Sequence, residues 1–115
     1  MNNNDKTLYT NTTPLVFIER YCTKLNINEE LTKLSKFIAQ IIDKNNLIPE
    51  NTPPSIAAAI VYFVSQTFKL NISKQDVNNV SKISEVTINK CYKKLESYKT
   101  QLIPNQLLKK YNINV

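Results

Sequence analysis

Between Ser73 and Leu95 five lysines, Lys74, Lys82, Lys90, Lys93 and Lys94, are interleaved with Val86, Thr87 and Asn89. These residue types suit a polyanion that also carries readable bases. Lysine ammonium groups neutralise phosphates, and a threonine hydroxyl can bond a phosphate or a base edge. An asparagine amide matches the N6 and N7 edge of adenine, and a valine side chain fits against a thymine methyl. The chemistry is that of binding. The chain has no histidine, which removes zinc sites of the usual spacing, Ser–His–Asp triads and imidazole acid–base work. It has no glycine, so no phosphate loop of the P-loop or dinucleotide type can form. Carboxylate or lysine chemistry stays formally open, but an enzyme is not expected. No cofactor and no metal are expected either.

Two short helices joined by a turn would position these side chains. Ser73 reads as a cap with Asp76 three residues on, an approximate capping box, followed by the apolar Val77 and Val80. Ser81 to Ser84 read as a four-residue turn. Ser84 caps the next helix, EVTINKCYKKLESY, with Ile88, Cys91, Tyr92 and Leu95 inward and Val86, Asn89, Lys90 and Lys93 outward. Residues 73–95 therefore have the form of a helix-turn-helix, whose second helix lies in the major groove of duplex DNA. Lysines outside two consecutive helices also occur as a plainly solvated face of a bundle. The turn has no glycine, so Lys82 or a neighbour carries a cost on the order of 1 kcal/mol if it turns left-handed.

Behind that unit the sequence places PPSIAAAIVYFVSQTF, Pro53 to Phe68. Ser55 to Val64 holds no charge and is apolar all round, the mark of a helix enclosed by neighbours. At about a dozen strongly apolar residues it is too short to cross a bilayer, and no membrane role is expected. Thr52 can cap it, Pro53 and Pro54 suit its first turn, and the run Ala57–Ala59 lets other helices come close. Asn71 would supply its stop in place of glycine.

A first helix opens at Thr13–Pro14, with Leu15, Ile18, Cys22 and Leu25 on one stripe widened by Phe17 and Tyr21. Arg20, the only arginine, is expected in a surface salt bridge with Glu19 or a carboxylate of another helix. Asn28 caps a second helix, with Glu29 and Glu30 at its positive end and Leu31, Leu34, Phe37, Ile38, Ile41 and Ile42 as its buried face. Lys33, Lys36 and Lys44 read as its solvated side, and 43–52 as a loop. Residues 1–13 read as a flexible polar lead-in without a secretory signal, 14–100 as one domain, and 101–115 as a tail. A helical turn is expected at Asn105, with Leu107, Leu108 and Tyr111 packing on the domain or on a neighbour. Cys22 and Cys91 read as buried free thiols in a reducing compartment. The net charge of +6 favours a polyanionic partner. The abundance of Asn, Lys and Ile reads as an AT-rich genome.

Three blocks together carry a resemblance: PLVFIERYCTKL, LIPENTPPSIAAAIVYFVSQ and SKQDVNNVSKISEVTINKCYKKL. From about Pro14 to Pro104 the chain resembles the second cyclin-like repeat of the transcription initiation factor IIB family, archaeal factor B included. The resemblance implies an all-α, five-helix cyclin-like fold with a central buried helix and a C-terminal helix-turn-helix. It implies binding of double-stranded promoter DNA near the TATA box, beside a TATA-binding protein, and assembly with RNA polymerase through other parts of the factor. It implies action in the nucleus, or in the cytoplasm for an archaeal or viral source. In the family the fifth helix reads an element upstream of the TATA box; the matching positions are Val86, Thr87 and Asn89, while the helix-turn-helix form itself places Lys74, Lys82, Lys90, Lys93 and Lys94 to meet phosphates. Three departures stand out. Asn89 replaces a common arginine, which favours adenine over guanine. Glu50-Asn51 replaces the usual Gly-Arg, and Lys82 replaces the glycine of the turn. The family's zinc ribbon and first repeat match nothing in these residues, so a domain of a longer protein or a reduced relative is expected. The alternatives are a cyclin-box module that docks a protein, such as a kinase-regulating cyclin, and a scaffold that kept the fold and lost DNA. A continuous positive stripe over Lys74 to Lys94 separates the first reading from these.

Overall fold

The computed structural model describes residues 14–113. Among them are seven helices and no strand: α1 (Pro14–Lys24), α2 (Glu29–Asn45), α3 (Pro53–Thr67), α4 (Lys74–Ser81), α5 (Glu85–Glu96), α6 (Lys99–Leu102) and α7 (Asn105–Lys110). None is long and apolar enough to cross a membrane. The flexible lead-in expected at 1–13 lies outside the described residues.

The centre is α3. Ala57, Ala58, Ala59, Ile60, Val61, Phe63 and Val64 are wholly buried, and α1, α2, α4 and α5 all pack on it. The alanines carry no side chain beyond Cβ, so four neighbours can approach one helix without leaving voids. This is the all-α, cyclin-like arrangement expected, with the terminal helix pair α4–α5 held on the central helix.

The helix starts follow their local chemistry. The Asn28 side chain accepts from the Leu31 amide at 2.8 Å. Ser73 and Asp76 form the full capping box, the Asp76 amide donating to Ser73 Oγ at 3.1 Å and the Ser73 amide to Asp76 Oδ2 at 2.9 Å. Thr52 does not cap as expected. Its hydroxyl donates to Ser55 Oγ instead, and Pro53 and Pro54 already leave two fewer amides to satisfy in the first turn.

The helix ends show how a chain without glycine turns. Asn26, Asn46, Lys69, Lys82 and Asn112 take positive φ, from 51° to 65°. At α3 the Leu70 amide bonds the Ser65 carbonyl at 2.8 Å and the Lys69 amide bonds Gln66 at 3.3 Å, a Schellman ending with Lys69 left-handed. The stop is thus Lys69, not Asn71, since the helix end fixes which residue must turn. Arg20 also departs from expectation. It lies 5.7 Å over the Phe17 ring and makes no ion pair among the described residues, while Glu19 pairs with Lys36. Phe37 is 47% exposed rather than buried. At 3.6 residues per turn it sits roughly 130° from the middle of the buried arc of α2.

The C-terminal residues pack back on the domain. Leu102, Ile103 and Leu108 join the buried cluster, and the Tyr111 ring meets Phe68 edge-on at 5.0 Å. Tyr111 Oη donates to Glu30 Oε1 at 2.7 Å, and Lys110 Nζ reaches Glu30 Oε2 at 2.9 Å.

Candidate nucleic-acid interface

The placement of α5 is set by its inner face. Ile88, Cys91 and Leu95 are wholly buried. Tyr92 adds two aromatic contacts to α3, edge-on to Tyr62 at 4.9 Å and tilted to Phe63 at 6.3 Å. Such pairs fix ring orientation as well as burying area, so the roll of α5 about its axis is constrained. Val77 anchors α4 in the same core.

The turn between them is held by short local bonds. The Lys82 amide closes α4 on the Asn78 carbonyl at 2.8 Å. Asn78 Nδ2 donates to the Ile83 carbonyl at 2.7 Å, and the Ile83 amide to Ser81 Oγ at 3.1 Å. Ser84 Oγ then accepts from the Thr87 amide at 3.2 Å and caps α5.

With α5 so rolled, Val86 stands 65% exposed at the start of the outer face. Asn89 is half-buried one turn on, and Lys90 and Lys93 are exposed beyond it. Lys82 is exposed at the turn and Lys74 half-buried at the start of α4. Thr87 is half-buried, its hydroxyl accepting from Ser84 Oγ at 3.0 Å. The fold therefore gathers Val86, Asn89, Lys90 and Lys93 on one outward face of α5. Thr87 is partly occupied by the helix cap, and Lys74 stands at the far end of α4. Glu85, exposed in the first turn of α5, completes the same face. It escaped notice because a glutamate at that position also serves the helix dipole. A carboxylate there can accept from cytosine N4.

The lysines differ in whether they are paired. Among the described residues Lys33 pairs with Glu29, Lys36 with Glu19, and Lys110 with Glu30. None of Lys74, Lys82, Lys90 and Lys93 has a described carboxylate within 4.0 Å. Lys94 breaks the expected row. It is paired with Glu50 and also donates to Asn51 Oδ1 at 3.4 Å. Glu50 raises the Lys94 ammonium above its ordinary value, and Lys94 holds the Glu50 carboxyl below its own.

Cys22 and Cys91 are buried free thiols, and burial pushes both upward from the ordinary thiol value. No group of three or more metal-ligating side chains occurs among the described residues.

The family model for the transcription factor TFIIB repeat matches residues 7–98. This chain belongs to the TFIIB repeat family. It is 34% identical over 99 residues to transcription initiation factor IIB of Encephalitozoon cuniculi, a match covering 84% of this chain and 31% of that protein. A transcription initiation factor IIB-like protein of Acanthamoeba polyphaga mimivirus is 31% identical, over 85% of this chain and 22% of its own length. Transcription initiation factor IIB of Dictyostelium discoideum is 30% identical, over 77% and 27%. The chain thus spans less than a third of each of these relatives. They are named as initiation factors, and none of the names denotes an enzyme.

Proposed function

We propose that this chain is the second cyclin-like repeat of a general transcription initiation factor and binds promoter DNA near the TATA box. In this reading α5 enters the major groove. Val86 meets a thymine methyl, Asn89 pairs with adenine, and Thr87 bonds a phosphate or base edge. Lys74, Lys82, Lys90 and Lys93 neutralise phosphates on either side. The TATA-binding protein is the neighbour on the bent duplex, and RNA polymerase is met through other parts of the factor. The observation that supports this best is the group of unpaired lysines around an outward valine and asparagine. Lys74, Lys82, Lys90 and Lys93 flank Val86 and Asn89 and have no described carboxylate within 4.0 Å, whereas Lys33, Lys36 and Lys110 elsewhere are paired. Lys44 and Lys109 have no described carboxylate partner either, so the support is the placement of these four cations around Val86 and Asn89.

The test is a titration of duplex DNA against the chain at several salt concentrations. Four phosphate contacts give a log–log slope near −3.6, about 0.9 for each. Binding therefore weakens by roughly 150-fold between 50 and 200 mM salt. A slope near zero refutes the reading. One observation favours a protein-docking use as well: the exposed Phe37 borders a shallow apolar groove with Leu34, Pro104 and Leu107. That groove includes no residue of α4 or α5 and leaves the DNA face untouched.

A further inference from the structure

Lys94 is the exception on an otherwise unpaired cationic face. It lies one helical turn beyond Lys90, close enough that both ammonium groups serve the same stretch of backbone. Yet its partner is Glu50, 44 residues away in the loop before α3. Asn51 Oδ1 accepts from the same ammonium at 3.4 Å, so the loop offers Lys94 two oxygens. Both side chains of the pair remain open to solvent, Lys94 at 40% and Glu50 at 56%. The pair therefore stands at the rim of the face, where a phosphate would otherwise be met.

We propose that Glu50 is an internal substitute for a DNA phosphate: it holds Lys94 out of the interface and so limits both the affinity and the width of the DNA contact. The inference rests on the DNA-binding reading and adds an affinity-determining residue to it. Lys94 stays with Glu50 in the complex, because exchange onto a phosphate would leave the Glu50 carboxylate unpaired beside the DNA backbone. Exchange would also forfeit the Asn51 contact. Like charges brought together oppose binding, so the loop sets a boundary that the duplex does not cross.

The experiment compares the 115-residue wild type, Glu50→Gln and the double variant Glu50→Gln/Lys94→Met, by fluorescence anisotropy with a mixed-sequence duplex from 50 to 200 mM KCl. Glutamine keeps the shape of an exposed side chain, and a thermal melt checks that each variant is folded. Glu50→Gln binds more tightly than wild type, with a slope steeper by about 0.9. Its advantage then shrinks roughly 3.5-fold across that salt range. The double variant returns to the wild-type slope. Equal binding by wild type and Glu50→Gln overturns the proposal and leaves the DNA reading standing. A double variant that keeps the full gain also overturns it, since the released cation is then not Lys94. A wild type without salt-dependent binding overturns the DNA reading and this inference with it.

Discussion

Lys82 carries two burdens that one pair of substitutions can separate. Its backbone is left-handed, with φ 65° and ψ 14°. An L-residue held there costs about 1–2 kcal/mol. Glycine removes that cost but brings about 0.5–1 kcal/mol of extra freedom to the unfolded chain. Lys82→Gly should therefore stabilise the domain by about 0.5–1 kcal/mol, a rise of roughly 2–8 °C in melting temperature for a domain of this size. Lys82→Ala keeps the left-handed cost and gains nothing. Both substitutions delete the same charge. In the DNA reading both reduce the salt slope by about 0.9, from near −3.6 to near −2.7. Calorimetry or chemical denaturation reads the first effect, and anisotropy with labelled duplex reads the second. Equal stability of the Gly and Ala variants would refute the left-handed turn. A stability difference with an unchanged slope in both would keep the turn and remove Lys82 from the phosphate contacts.

Three further outcomes follow from the same geometry. Asn89→Ala should relax base preference at one position, by about 1–3 kcal/mol of discrimination, while Lys93→Ala weakens all duplexes alike; competition binding against single-base variants of a selected site checks both. Ala58→Leu should destabilise the domain by about 1–3 kcal/mol, since Ala58 is wholly buried where other helices crowd α3; urea unfolding measures it. The docking of α7 should weaken in acid: hydrogen bonds from Lys110 and Tyr111 hold the Glu30 carboxyl below its ordinary value, so its contribution is present above the usual carboxylate range and is lost as pH falls through the folded value. The same contacts raise Tyr111 and Lys110, so their share is full at neutral pH and is lost only in alkali. Amide exchange in Asn105–Lys110 across pH reads this, and Glu30→Gln should flatten the acid side.

Much of the fold is legible along the chain because its strongest signals are local. The charge-free stretch 55–64 announces its own enclosure, and Ser73, Ser84 and Asn28 announce the helix starts. What escaped depends on relations across the chain. That Lys94 meets Glu50 follows only once the loop before α3 is folded against α5. That Phe37 is exposed depends on where the arc of α2 ends, which the apolar pattern alone blurs. The four-residue α6 has too few residues to show a period. Val86 and Asn89 were readable as outward because Ile88, Cys91 and Leu95 leave them no other side. That placement does not by itself say what they touch.

The helix ends held a signal that composition obscured. Among the described residues every left-handed one is followed by an apolar one: Asn26 by Ile27, Asn46 by Leu47, Lys69 by Leu70, Lys82 by Ile83, and Asn112 by Ile113. An apolar residue just beyond the left-handed position is what a helix ending of this kind packs inward. The pattern was there to read, with Asn or Lys standing where glycine is usual. The choice of residue then matters beyond the turn. Glycine at such a position leaves bare backbone, whereas Lys69 and Lys82 put exposed cations there. At Lys82 the added charge falls between α4 and α5, within the face proposed to meet DNA. The lysine that strains this turn, where glycine would not, is in the DNA reading the same residue that adds a phosphate contact to it.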